Sequence, residues 1–236
     1  MTLSSSTVET AKRGLKIAQT IGGFANELRR AFGKSAHVPL CGATETCRVA
    51  RSKPLPFAED GFMKVSDAIN SRITTRAFLD TPVSGEVLRQ ILETAKRAPS
   101  GGNLQPWHVW VLAGEPMAQF KALIKEKMAV SPRGEGTEYQ IYPPELSEPY
   151  KARRFKCGED MYATLGIARE DKFGRLLNFA RNFEFFGAPA AFFFAIDRQM
   201  QEGQWADLGM FMQSIMLLAR EHGLHTCPQE AWAIWH

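Results

Sequence analysis

APSGGNLQPWHVWVL, residues 98 to 112, is where a helical pattern stops and a strand-like one begins. Pro99 ends the helix, Ser100 to Gly102 make a turn, and Trp107 opens an alternation of bulky residues. A loop of this composition lets backbone lie flush against a flat ligand. Gly101 and Gly102 carry no side chain to hold a ring away, while Ser100, Asn103 and Gln105 offer donors and acceptors at its polar edge. A plain helix-to-strand connection would read the same way in isolation, so the segment has to be weighed with the rest of the chain.

Outward from this loop, helices and strands alternate in one domain from residue 63 onward. Lys64 to Ser71 predicts a short helix. Ser84 caps a second, whose Val87, Leu88, Ile91, Leu92 and Ala95 share one face. Trp107 to Ala113 reads as a strand and Pro116 to Val130 as a helix. Ser131 to Pro149, rich in Pro, Gly and Glu, reads as an excursion, and the basic run Lys151 to Lys156 as a solvated helix start. Helix continues to about Phe186, and the apolar run Ala190 to Ile196 suits a buried strand. Leu208 to Ala219, apolar nearly all round, predicts a helix at the molecular centre or in a subunit interface. A short strand is expected to begin near Leu224.

Composition narrows the class. The 236 residues are 44% hydrophobic and 23% charged, enough for a sizeable core. No run of about 18 apolar residues is long enough to span a bilayer, and the N-terminus lacks a secretory pattern, so a cytoplasmic location without stable membrane association is expected. Cys41, Cys47, Cys157 and Cys227 have neither zinc-site spacing nor disulfide density, so no metal is expected. Residues 1 to 55 hold nine Lys and Arg against three Asp and Glu, a charge of +6, which leaves −2 for the remainder. A slightly acidic body has no footprint for nucleic acid.

The basic arm, residues 1–62, reads as an amphipathic helix and a loop, with Val8, Ala11, Leu15, Ala18, Ile21, Ala25, Leu28 and Phe32 on one stripe. An accessory helix packing on the body or a partner, a membrane-surface helix and a targeting segment all fit that pattern. So does an upstream start-site assignment, because Met63 begins the domain cleanly.

Two further clusters carry chemistry. In SRITTRAF, Ser71 to Phe78, Arg72, Thr74 and Arg76 alternate, so an extended chain projects all three from one face, a suitable clamp for phosphate. In HTCPQEAW, His225 to Trp232, a Pro-Gln-Glu turn can present consecutive backbone amides. Each would be weak alone.

Together, Arg72 to Arg76, Ala98 to His108 and Gly223 to Glu230 resemble the motifs of the nitroreductase family of FMN-dependent oxidoreductases, in order, from about Met63 to the end. The resemblance implies an α+β fold, a mainly antiparallel central sheet surrounded by helices, in a homodimer with FMN at the subunit boundaries. It places residues 63–236 in the FMN-binding domain, C-terminally short, because family members normally continue through another helix, a further strand and a C-terminal segment that this sequence lacks. Arg72, Thr74 and Arg76 would hold the phosphate, ribityl chain and pyrimidine edge. Pro99, Ser100, Gly101, Asn103 and Gln105 would line the ring or come from the other subunit's loop. Pro228, Gln229, Glu230 and Ala231 would lie along the flavin, with a backbone N–H near Glu230 directed at N5. Arg76 near N1 and O2 would favour the reduced form. The implied reaction is ping-pong transfer of hydride from NADH or NADPH to nitroaromatic or quinone acceptors. No catalytic acid or base is required, so His108, His222 and His225 are left local roles. A flavin-binding or flavin-handling protein with little turnover is the alternative.

Overall fold

A computed structural model describes residues 63–235; the amphipathic helix expected within residues 1–62 lies outside them. Of the described residues, 63–122 and 184–229 form one compact unit, and 123–183 with 230–235 form another.

The first unit is built on a helix pair and a sheet. Helix α1 (Val65–Ser71) is followed by α2 (Gly85–Ala95), which starts where the Ser84 hydroxyl accepts a hydrogen bond from Val87 N at 3.2 Å. The apolar face read from the sequence buries Leu88, Ile91 and Ala95. Strands β1 (Trp107–Ala113) and β2 (Ala190–Ile196) pair antiparallel, Trp107 opposite Ile196 and Ala113 opposite Ala190. Alternation then sorts the β2 side chains. Phe192, Phe194 and Ile196 meet a core of Ile91, Ala95, Leu208, Phe211, Ile215 and Ala219. Phe193 turns the other way, 5.1 Å from the Phe120 ring and 5.9 Å from Phe185. Phe120 belongs to α3 (Glu115–Val130), the helix expected over Pro116 to Val130.

Helix α6 (Glu202–Glu221) supplies most of that core. Phe211 is 1% exposed, and Trp107 stacks on it at 4.5 Å. The helix ends as its sequence dictates. Gly223 adopts φ +72°, Leu224 N reaches back to Ala219 O at 2.8 Å, and Gly223 N to Arg220 O at 2.9 Å. This double closure needs a left-handed residue at its turn, and glycine takes that conformation without strain.

The strand expected from Leu224 is shorter than its sequence suggests. It forms one parallel bridge, Thr226 with Thr74. Only four residues separate Gly223 from Pro228, and proline has no N–H to extend a ladder. Among the described residues the regular sheet therefore has two strands, and the fold is α+β with helices in the majority.

In the second unit, α4 (Tyr150–Thr164) and α5 (Lys172–Ala180) are joined by a fork from Arg175 to Glu159, at 2.8 and 3.2 Å. Asp171 caps α5 by accepting from Gly174 N at 2.7 Å. Residues 131–149 form no helix or strand. Their turn is tied to the chain end where Glu135 N donates to Ile234 O at 2.7 Å. Phe183, 3% exposed, meets Trp232 and Trp235 edge-on at 5.2 and 6.0 Å. No described helix is long and apolar enough to cross a membrane.

Candidate functional site

The Arg72–Arg76 segment and the start of the Gly223–Glu230 segment, at Thr226, lie side by side in the first unit. Arg72 closes α1 through its N–H to Ala68 O at 3.0 Å, then leaves in an extended conformation. Thr75 N donates to Thr226 O at 3.0 Å, beside the Thr74–Thr226 bridge. Further on, Phe78 N donates to Phe186 O at 3.1 Å. The segment is thus pinned at three points. Arg72 and Thr74 are half-buried and Arg76 is exposed. Burial pushes the Cys227 thiol up, while the Arg76 charge pulls it back, so that guanidinium acts on the third cluster.

The Ala98 to Leu112 loop is held mostly by itself. Asn103 N donates to Ser100 O at 2.9 Å, Leu104 N to Gly101 O at 3.1 Å, and Gln105 N to Ser100 Oγ at 3.0 Å. Gln105 Nε2 donates to Asn103 Oδ1 at 3.2 Å. Gly102, Asn103 and Gln105 all have positive φ, +56°, +56° and +48°. For the latter two this costs about 1 kcal/mol each, the kind of strain that concentrates where a backbone is shaped for a ligand. A Cβ added at Gly102 would project into open space. The side chains of Ser100, Asn103 and Gln105, expected at a ligand's polar edge, make hydrogen bonds that shape the loop itself.

Pro228 and Gln229 follow the Thr226 bridge in the first unit. Glu230 and Ala231 belong to the second, where Ala231 opens a short turn of 3-10 helix to Ile234. There Tyr139 donates to the Glu230 carboxylate. Burial, aided by that negative charge and hydrogen bond, pushes the phenol up to about 12. His108 is exposed on β1 and His222 caps α6. His225 is held below the usual imidazole range by burial and then by the Arg220 charge.

Reading the sequence missed two charged residues that organise these clusters. Asp207, 5% exposed, accepts from Gly101 N with both carboxylate oxygens, at 3.2 and 3.1 Å. Arg220, 1% exposed, donates from Nε to Ser71 Oγ at 3.3 Å and from an Nη to Leu224 O at 2.7 Å. Both lie on α6, at the two ends of its apolar run, and a charge bounding so apolar a stretch was the available signal. Thirteen residue steps of helix separate them, a rise of about 20 Å. Helix α6 therefore anchors the glycine-rich loop toward one end and the Arg72–Thr226 pair toward the other.

The donors present fit a flavin phosphate at the Arg72–Arg76 segment. Two guanidiniums and a hydroxyl suit an anion, and Thr226 Oγ1, on the residue bridged to Thr74, is buried without a hydrogen-bond partner among the described residues.

The chain is similar to proteins of known activity. The model of the nitroreductase family matches residues 69–234. A chloronitrobenzene nitroreductase of Comamonas testosteroni is 38% identical over 172 residues, 73% of this chain and 76% of that protein. A 4-nitrobenzoate reductase of Pseudomonas putida is 38% identical over 166 residues, 70% and 71% of the two chains. The crystal structure of the FMN and NADPH-dependent nitroreductase NfnB from Sphigopyxis sp. strain HMH superposes with a TM-score of 0.70 at 47% identity, covering 73% of this chain and 77% of that one. The FMN-dependent nitroreductase NfnB from Mycobacterium smegmatis, solved with NADPH, gives 0.67 at 27% identity, covering 72% and 75%.

Proposed function

Because the chain belongs to the nitroreductase family, we propose that it is an FMN-dependent oxidoreductase, taking hydride from NADPH or NADH and reducing nitroaromatic or quinone acceptors in ping-pong order. When bound, FMN supplies the hydride chemistry at N5, so the protein needs no catalytic acid or base of its own.

The protein's part is to bind and orient. Arg72, Thr74 and Arg76 hold the phosphate, ribityl chain and pyrimidine edge, Arg76 bringing its positive charge to the ring end. Pro228, Gln229, Glu230 and Ala231 run along the flavin. Pro99, Ser100, Gly101, Asn103 and Gln105 line the ring from a second copy of the chain, forming a homodimer. The separation along α6 favours this division, because one tricyclic ring does not reach between residues anchored about 20 Å apart.

The pairing of Thr75 with Thr226 carries the reading. It brings the basic segment and the approach to the Pro-Gln-Glu turn together through backbone hydrogen bonding. The test is to load the full chain with FMN, desalt it, and add NADPH and then 4-nitrobenzoate without oxygen. The yellow colour is expected to survive desalting, bleach with NADPH and return with the nitro compound. A chain that stays colourless after loading overturns the reading.

A further inference from the structure

Arg220 is a buried cation whose contacts are both to neutral groups. Its Nε donates to the Ser71 hydroxyl at 3.3 Å and an Nη to the Leu224 carbonyl at 2.7 Å. No carboxylate pairs with it among the described residues. Taking a guanidinium out of water is costly, and a neutral donor could join a hydroxyl to a carbonyl at far less expense. The charge itself therefore calls for a role. Arginine cannot escape burial by losing its proton, so it remains cationic.

Its two partners are informative. Ser71 immediately precedes Arg72, and Leu224 is two residues before Thr226. The side chain spans the roots of the two segments that pair through Thr75 and Thr226. Its field also reaches the second of them, since the Arg220 charge helps hold His225 below its ordinary range. Screening is weak in so buried a position.

We propose that Arg220 is a positioning residue of the cofactor site: bridging Ser71 to Leu224, it holds the Arg72–Arg76 segment against Thr226, and its unpaired charge strengthens the hold of that pair on the FMN phosphate. The assignment rests on the FMN reading above. It goes beyond that reading by giving a role to a residue that the sequence motifs do not contain.

The test compares affinities for FMN and riboflavin, which lacks the phosphate, in the wild type, Arg220→Met and Arg220→Lys. Fluorescence quenching reads each titration. Arg220→Met is expected to weaken FMN by about tenfold or more and riboflavin by less, and Arg220→Lys to recover most of the FMN affinity. Equal loss for both ligands without recovery by Lys marks a packing defect and overturns the proposal, as does unchanged FMN affinity. Where Arg220→Met does not fold, Ser71→Ala removes one end of the bridge. It is expected to weaken FMN about threefold and to speed amide exchange at Thr75; no change in either overturns the tie. Failure of the wild type to bind FMN instead counts against the family-based reading of function.

Discussion

Asp207 accepts the Gly101 amide with a carboxylate that is almost wholly removed from water. Asparagine in its place keeps an acceptor of the same shape, whereas leucine leaves the amide unanswered. Asp207→Leu is accordingly expected to weaken FMN about tenfold, the worth of a charge-assisted hydrogen bond, and Asp207→Asn much less. Flavin fluorescence titration measures both, and equal affinities for Leu and Asn would remove Asp207 from the site. Tyr139 gives a prediction with a pH window. Its phenol titrates normally near 10 but is pushed up to about 12 in the fold, mainly by burial and then by Glu230. The folded form prefers the protonated phenol, so this contribution is complete below pH 10 and disappears as pH rises to about 12. Tyr139→Phe should flatten the stability loss over that interval in thermal melts, and a slope identical to wild type would contradict the assignment. The extended course of the Arg72–Arg76 segment was readable because alternation is a local property. Asp207, Arg220 and Tyr139 were not, because their partners lie far along the chain: 106 residues for Asp207, and 149 for Arg220 with Ser71.

Helix α6 links the core to the site, and its sequence disclosed the first role better than the second. Its apolar run forecast central packing, which Phe211 fulfils between Trp107 and Phe194. Phe211→Ala is expected to cost about 3–5 kcal/mol in chemical denaturation, as for other fully buried aromatics; a loss below about 1 kcal/mol would mean that the core lies elsewhere. At the helix end, Gly223→Ala places a Cβ in the left-handed region and should cost about 1 kcal/mol. The loss should come with faster amide exchange at Leu224, whose N–H closes the turn. The two strands of the sheet and the Ser84 cap were likewise legible, since period and capping chemistry are carried by neighbouring residues. The strand expected at Leu224 was not delimited correctly. Pro228 and the single bridge to Thr74 set its actual extent, and pairing partners do not appear in a local pattern.

At the scale of the whole molecule, the proposed function of this nitroreductase family member requires two copies of its chain to complete each FMN site. The motifs announced a flavin. They did not reveal that the Gly101 loop and the Arg72–Thr226 pair are fastened near opposite ends of one rigid helix, a three-dimensional fact that sequence order conceals. Mixing two disabled chains tests the claim most directly. Arg76→Glu removes charge from the basic segment, and Gly102→Val forces a branched residue into the left-handed loop; each variant alone should be nearly inactive in NADPH-driven reduction of 4-nitrobenzoate. Co-expressed, they are expected to recover about a quarter of the wild-type rate, because roughly half of the dimers are mixed and each holds one intact site. A mixture no more active than either variant alone would contradict the two-chain site.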